Sequence, residues 1–167
     1  TQQEKGTLVN VLFEPKTKLS DSLTYDITAW TLPFAYGVEA WACEGSTGKG
    51  TKFSGWPTSV KNVAPTAPCY AYLAPWESMK SARFLSDLQA AGITVYFNEK
   101  GFTNNKQVYA PGTLIMLRGE NKRVDFDQIV TKIANENAVN LSVVSSGFMQ
   151  EGIDMGSSSV KKIEKAS

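Results

Sequence analysis

A strand, a helix and a second strand follow one another within residues 68–118, and this order restricts the folds open to the chain. The run 68–73 is short, apolar and aromatic, which is typical of a buried strand. From about Trp76 onwards, apolar residues recur every three or four positions and predict an amphipathic helix, which Gly92 ends in a left-handed conformation. The β-branched and aromatic run 93–97 predicts the next strand. Such a unit predicts a right-handed crossover between parallel neighbours.

The rest of the chain also alternates between strand-like and helix-like stretches. Its further strands are predicted at 7–13, 38–43, 113–117 and 140–144, with edge strands at 107–109 and 160–165. A short helix is expected within 25–37, and an amphipathic helix begins at Asp125, with Gln128 completing a capping box. This alternation predicts one α/β domain over residues 1–167. We expect three layers, with a largely parallel or mixed sheet and helices on both of its faces.

The composition excludes several classes of function. The chain has no histidine, which excludes a His-based zinc site, a Ser-His-Asp triad and a Cys-His dyad built from this chain alone. Seventeen basic and sixteen acidic residues leave a net charge of +1, so we expect no nucleic-acid partner. No apolar run is long enough to predict a membrane span. Cys43 and Cys69 are compatible with either one disulfide or two buried thiols.

Five residues are candidates for a ligand or interface contact. Ser145 and Ser146 follow a predicted strand, at the carboxyl edge where open α/β sheets bind ligands. A plain turn is the alternative, since a serine nucleophile here would need a lysine or carboxylate base. Arg118 ends another predicted strand, where it would either clamp an anion or pair with a nearby carboxylate. Trp76 and Tyr109 are the aromatic candidates, with core packing as the alternative. No catalytic or metal-binding residue is assigned.

Several phrases, in order, resemble one known family. They lie at 25–37, 84–93, 109–115, 146–147 and 152–157, and the first contains Tyr-Asp-x-Thr-x-Trp-x-Leu-Pro. Together they resemble the region after the catalytic domain of large bacterial zinc carboxypeptidases of the Bacteroidetes type. In that family the region lies between the peptidase domain and a carboxy-terminal domain that is similar to glutamine amidotransferases.

The resemblance implies a non-catalytic accessory domain, a fragment of a longer secreted or periplasmic enzyme. Its partners would be the neighbouring domains of the same polypeptide. Zinc, with its two histidine ligands and one glutamate, would belong to the peptidase domain upstream, so no cofactor is expected in this chain. The alternative is a module that binds peptide or carbohydrate at the sheet's carboxyl edge, near Leu73, Phe97, Arg118 and Ser145. An independent hydrolase is a third hypothesis, and it requires a nucleophile and a base in contact.

Overall fold

The computed structural model describes residues 4–13, 32–36, 38–41, 45 and 61–165, which fall into two compact units, Thr1–Trp56 and Pro57–Ser167. The prediction that residues 1–167 form one accessory domain stays a prediction. No helix among the described residues is long and apolar enough to cross a membrane.

The first unit contains two short helices that contact each other, α1 (Gly6–Phe13) and α2 (Leu32–Tyr36). The predicted strand at 7–13 is therefore wrong. Its apolar run is too short for its periodicity to distinguish a helix from a strand. Residues 38–41 form no regular strand, and the remainder of the strand predicted there lies outside the described residues.

The second unit is built on a five-stranded sheet. Its strands, in chain order, are β1 (Ala71–Ala74), β2 (Tyr96–Asn98), β5 (Leu114–Leu117), β6 (Ser142–Val144) and β8 (Val160–Lys162). Their order across the sheet is β6-β1-β5-β2-β8, and every neighbouring pair is antiparallel. The predicted three-layer α/β fold, with its largely parallel or mixed sheet, is therefore wrong.

The two long helices connect strands that are parallel but not adjacent. Helix α3 (Met79–Ala90) joins β1 to β2, and α4 (Phe126–Glu136) joins β5 to β6. Strand β5 lies between β1 and β2, and β1 lies between β5 and β6. The result is two interleaved split β-α-β units, the order called ferredoxin-like. A strand-helix-strand pattern thus predicted the direction of β1 and β2 correctly, but a third strand separates them.

Both helices pack on the same face of this sheet, so the predicted helices on both faces are also wrong. Alternate residues of β1 point to opposite faces. Tyr72 belongs to a core that includes Phe84 of α3 and Phe126 of α4. Leu73 belongs to a second core on the other face, which contains Phe102 instead of helix residues.

A small second sheet contributes to this other core. It consists of β3 (Phe102–Asn104), β4 (Gln107–Tyr109) and β7 (Glu151–Gly152), in the order β4-β3-β7. Asn105 and Lys106 connect β3 to β4 with φ values of 49° and 63°, the backbone that a tight type I′ hairpin requires. The rings of Phe102 and Tyr109 stack with centroids 4.9 Å apart. The edge strand predicted at 107–109 is confirmed.

Of four further local predictions, two are confirmed and two are wrong. Helix α3 ends as expected, with Gly92 at φ 76°. The edge position predicted for 160–165 is confirmed by β8, whereas the strand predicted in the interior at 140–144 is β6, at the opposite edge. Asp125 stands at the start of α4 but does not cap it, because its carboxylate accepts hydrogen bonds from Arg123 at 3.0 and 3.1 Å.

Candidate functional site

One end of the large sheet brings together three of the predicted site residues. Because the strands are antiparallel, the start of β1 lies beside the ends of β5 and β6. The N–H of Arg118 donates to the carbonyl of Tyr70 at 3.0 Å, and the N–H of Tyr70 donates to the carbonyl of Val144 at 2.8 Å. Arg118 therefore lies near Ser145 and Ser146.

The side chain of Arg118 is held by several partners at this end of the sheet. Its Nε donates to the carbonyl of Cys69 at 3.0 Å, and one terminal nitrogen forms an ion pair with Asp127 of α4. Its guanidinium carbon lies 5.2 Å from the ring centroid of Phe126, a cation–π distance. The sequence left two roles open for Arg118, which would either clamp an anion or pair with a nearby carboxylate. The structure shows the pairing, with Asp127.

Asp127 is the centre of a cluster formed by Cys69, Tyr72, Arg118 and Asp127, here called the Asp127 cluster. One carboxylate oxygen of Asp127 also accepts the Tyr72 hydroxyl at 2.7 Å and lies 3.8 Å from the Cys69 sulfur. Burial by itself raises the pKa of Asp127, but the hydrogen bonds from Arg118 and Tyr72 outweigh it and lower this pKa below its usual value.

The other titratable members of the cluster stay protonated at neutral pH. Burial raises the pKa of the Cys69 thiol, and the nearby Arg118 only partly opposes this effect. Burial and the hydrogen bond to Asp127 both raise the pKa of Tyr72. A protonated, buried thiol is a poor nucleophile. The Asp127 cluster therefore connects β1, the end of β5 and α4 through hydrogen bonds and an ion pair, which is a structural role.

A pocket of about 290 Å³ lies beside this cluster, at the corner where β6 ends. We call it the corner pocket. It is lined by Pro65, Ala67, Pro68, Cys69, Asn104, Asn105, Val143, Ser145, Ser146 and Phe148. None of these described lining residues carries a charge. The pocket offers amides, hydroxyls and apolar carbon, which suits an uncharged occupant.

The two serines predicted from the sequence line this pocket. The hydroxyl of Ser146 accepts the N–H of Phe148 at 3.1 Å, which is a local turn contact. Within the part of the chain that the structure describes, neither Ser145 nor Ser146 forms a hydrogen bond with a lysine or a carboxylate. The described contacts therefore contain no serine nucleophile paired with a base.

Three exposed apolar side chains, here called the apolar rim, lie at this corner. They are Tyr70, whose ring lies beside Gly147, and Val143 and Phe148, which line the pocket. Their exposed fractions are 42%, 41% and 80%. Gly147 allows the ring of Tyr70 to lie close, since a Cβ atom added at Gly147 would be 2.7 Å from the Tyr70 ring. Three exposed apolar side chains at one corner are more than scattered surface residues and indicate a contact surface.

The remaining two predicted residues lie elsewhere. Trp76 is about half exposed and follows β1, at the opposite end of the sheet from Arg118. Tyr109 is buried in β4, stacked on Phe102, and its hydroxyl donates to Gln107 at 3.1 Å. The sequence had not singled out Phe148 as a site residue, because its place in the pocket depends on the turn that follows β6.

The described residues contain no group of three or more cysteine, aspartate or glutamate side chains that could hold a metal ion.

No family model, curated protein or solved structure matches the chain. The split β-α-β topology does not identify a function, because such folds carry many.

Proposed function

We propose that this chain is a non-catalytic accessory module of a secreted or periplasmic zinc metallocarboxypeptidase, and that it binds a neighbouring part of the same polypeptide. The apolar rim of Tyr70, Val143 and Phe148 is the observation that carries this proposal. Contact surfaces between domains have an apolar centre that is poor in charge, and the rim lies at a pocket whose described lining is uncharged. The phrases that resemble the carboxypeptidase family support the choice of parent enzyme.

A module that binds a free peptide or carbohydrate is the second candidate. It is favoured by the corner pocket, which offers Asn104, Asn105 and Ser145 as neutral hydrogen-bonding groups next to the ring of Phe148. Its volume is at the lower end for ligand sites and suits one side chain or one sugar ring.

The experiment compares this chain with a longer form that includes the peptidase domain expected upstream. We expect the longer form to bind zinc and release carboxy-terminal residues from peptides, and this chain alone to do neither. Phe148→Asp should then lower the melting temperature or the activity of the longer form while leaving its zinc content unchanged.

Val124→Asp is the matched control, because Val124 is fully exposed and lies outside the corner pocket. Equal effects of Phe148→Asp and Val124→Asp would contradict a docking role for the rim. A longer form without zinc or peptidase activity would contradict the proposed parent and leave the binding module as the better candidate.

A further inference from the structure

We propose that the outer edge of β6 and the corner pocket together bind an extended, uncharged polypeptide segment, which adds a strand to the sheet and places one apolar side chain in the pocket. This inference rests on the proposed function, because it specifies the polypeptide that the module would bind. It commits to strand addition, a recognised mode of peptide binding in which backbone hydrogen bonds contribute affinity and a pocket contributes specificity.

The position of β6 at the end of the sheet provides the backbone part of this site. β6 pairs with β1 on one side, and no strand among the described residues pairs with it on the other. In an antiparallel strand, alternate residues direct both their N–H and C=O groups away from the paired neighbour. An extended segment would satisfy these groups, which belong to one or two of the three residues of β6.

The two edges of the sheet differ in charge. β8, at the opposite edge, carries exposed Lys161 and Lys162, and lysine on an edge strand opposes pairing with another chain. The stretch 141–146, which contains β6, has no charged residue. The β8 edge is therefore protected against an added strand by its lysines, while the β6 edge lacks such charges.

The segment before β1 forms hydrogen bonds just before β6, but its described residues form no backbone hydrogen bond with β6 itself. The side chain of Asn62 accepts the N–H of Leu141 at 2.9 Å and donates to the carbonyl of Val139 at 2.8 Å, so it occupies the backbone just before β6. Further along, Pro65 and Pro68 have no N–H to donate. In the described part of the chain, no backbone hydrogen bond joins 61–67 to β6. The corner pocket lies in this unbonded region.

The pocket determines which side chain the added strand would carry. Val143 and Phe148 provide apolar walls, and the neighbouring Cys69 thiol is buried. A charged side chain would lose its hydration there without gaining an opposite charge from the described lining. A leucine or a similar aliphatic side chain is therefore the expected occupant.

The test uses the ¹⁵N-labelled chain and the peptide acetyl-TVLVT-amide, with two matched analogues. One analogue is N-methylated at alternate residues, which keeps every side chain but removes backbone donors. The other has aspartate in place of leucine. We expect the parent peptide at about 1 mM to shift the amide resonances of residues 142–146 and to slow their hydrogen exchange, and both analogues to bind at least about ten-fold more weakly.

Val143→Lys should abolish these shifts, whereas Val108→Lys should not, because Val108 is an exposed valine on the edge strand β4 of the small sheet. Ser145→Lys, at an exposed position after β6, serves as the second variant if Val143→Lys does not fold. Absence of shifts at about 1 mM, equal binding of the N-methylated analogue, or equal effects of the two valine substitutions would overturn the proposal.

The outcomes separate this inference from the proposed function. If Phe148→Asp impairs the longer form but no peptide shifts the β6 resonances, the accessory role stands and strand addition is wrong. If the peptide binds through β6 while the longer form has neither zinc nor activity, the binding site stands and the carboxypeptidase parent is wrong.

Discussion

The side-chain amide of Asn135 forms hydrogen bonds with both backbone groups of Asn62. Its Oδ1 accepts the N–H of Asn62 at 2.6 Å, and its Nδ2 donates to the Asn62 carbonyl at 3.0 Å. The side chain of Asn62 in turn bonds the backbone of Val139 and Leu141. These two residues therefore hold the segment before β1 against α4 and the start of β6, beside the proposed binding edge.

Asn135→Ala should destabilise the second unit, because it leaves the partly buried N–H and C=O of Asn62 without their partner. We expect a loss of about 1–3 kcal/mol in the free energy of unfolding, measured by urea denaturation. Asn140→Ala is the control, since Asn140 is exposed, and it should change the stability by less than about 0.5 kcal/mol. Similar losses in the two variants would show that the Asn62–Asn135 pair does not anchor this segment.

Arg118→Leu should destabilise the protein through the Asp127 cluster, because it leaves a partly buried carboxylate without its cation. The side chains of Arg118 and Asp127 are 27% and 23% exposed, so we expect a loss of about 1–3 kcal/mol, below that of a fully buried pair. Lys132→Ala, in an exposed pair with Glu136, should cost less than about 0.5 kcal/mol. Equal costs in urea denaturation would contradict the structural role of Arg118.

The depressed pKa of Asp127 predicts a loss of stability in acid. Its ionised form stabilises the folded state fully above pH ~4, the ordinary pKa of aspartate, and this contribution is lost as the pH falls through the lower folded pKa. Asp127→Asn removes this titration. The unfolding free energy of the unchanged protein should therefore fall more steeply below pH ~4 than that of the variant. Parallel curves in urea titrations at a series of pH values would refute this prediction.

Gly152→Ala should be strongly destabilising, because Gly152 has φ 86° and its added Cβ would lie 2.5 Å from the carbonyl oxygen of Gly101 and 2.7 Å from the Cα of Phe102. Backbone must move to accept the methyl group, so we expect a loss of about 2 kcal/mol or more and a lower melting temperature. Gly119→Ala is the control, since nothing lies within 4 Å of its added Cβ. A melting temperature unchanged by Gly152→Ala would contradict the tight packing of β7 on β3.

Local signals in the sequence located most elements of the second unit. The apolar stripe of α4, the amphipathic pattern of α3 and the terminating Gly92 all appear in the structure. These features depend on side chains a few residues apart, which the sequence displays directly. The run at 7–13 shows the limit of this approach. Its few apolar residues fit both the period of a helix and that of a strand, and the structure has helix α1 there.

The candidate site was predictable only in part. Ser145, Ser146 and Arg118 were expected at one end of the sheet, and the structure brings them to one end. Leu73 and Phe97, expected at the same edge, lie beside the start of β5 instead, because the strands are antiparallel. The sequence did not show whether Tyr109 is a buried core residue or an exposed contact residue. A strand of three residues is too short for its alternation to indicate which of its faces is buried. Asn105 is of a residue type that is common in turns, but only the folding of β3 and β4 onto the large sheet places its turn at the pocket.

The sequence by itself determined where the main helices and strands of the second unit lie, and that β1 and β2 run in the same direction. Only the tertiary structure decided that β5 lies between them, that α3 and α4 share one face, and that β6 is an edge. The reason is physical: helix and strand signals arise from neighbouring residues. The partners of a strand are chosen by the burial of both sheet faces and by hydrogen bonds between distant residues.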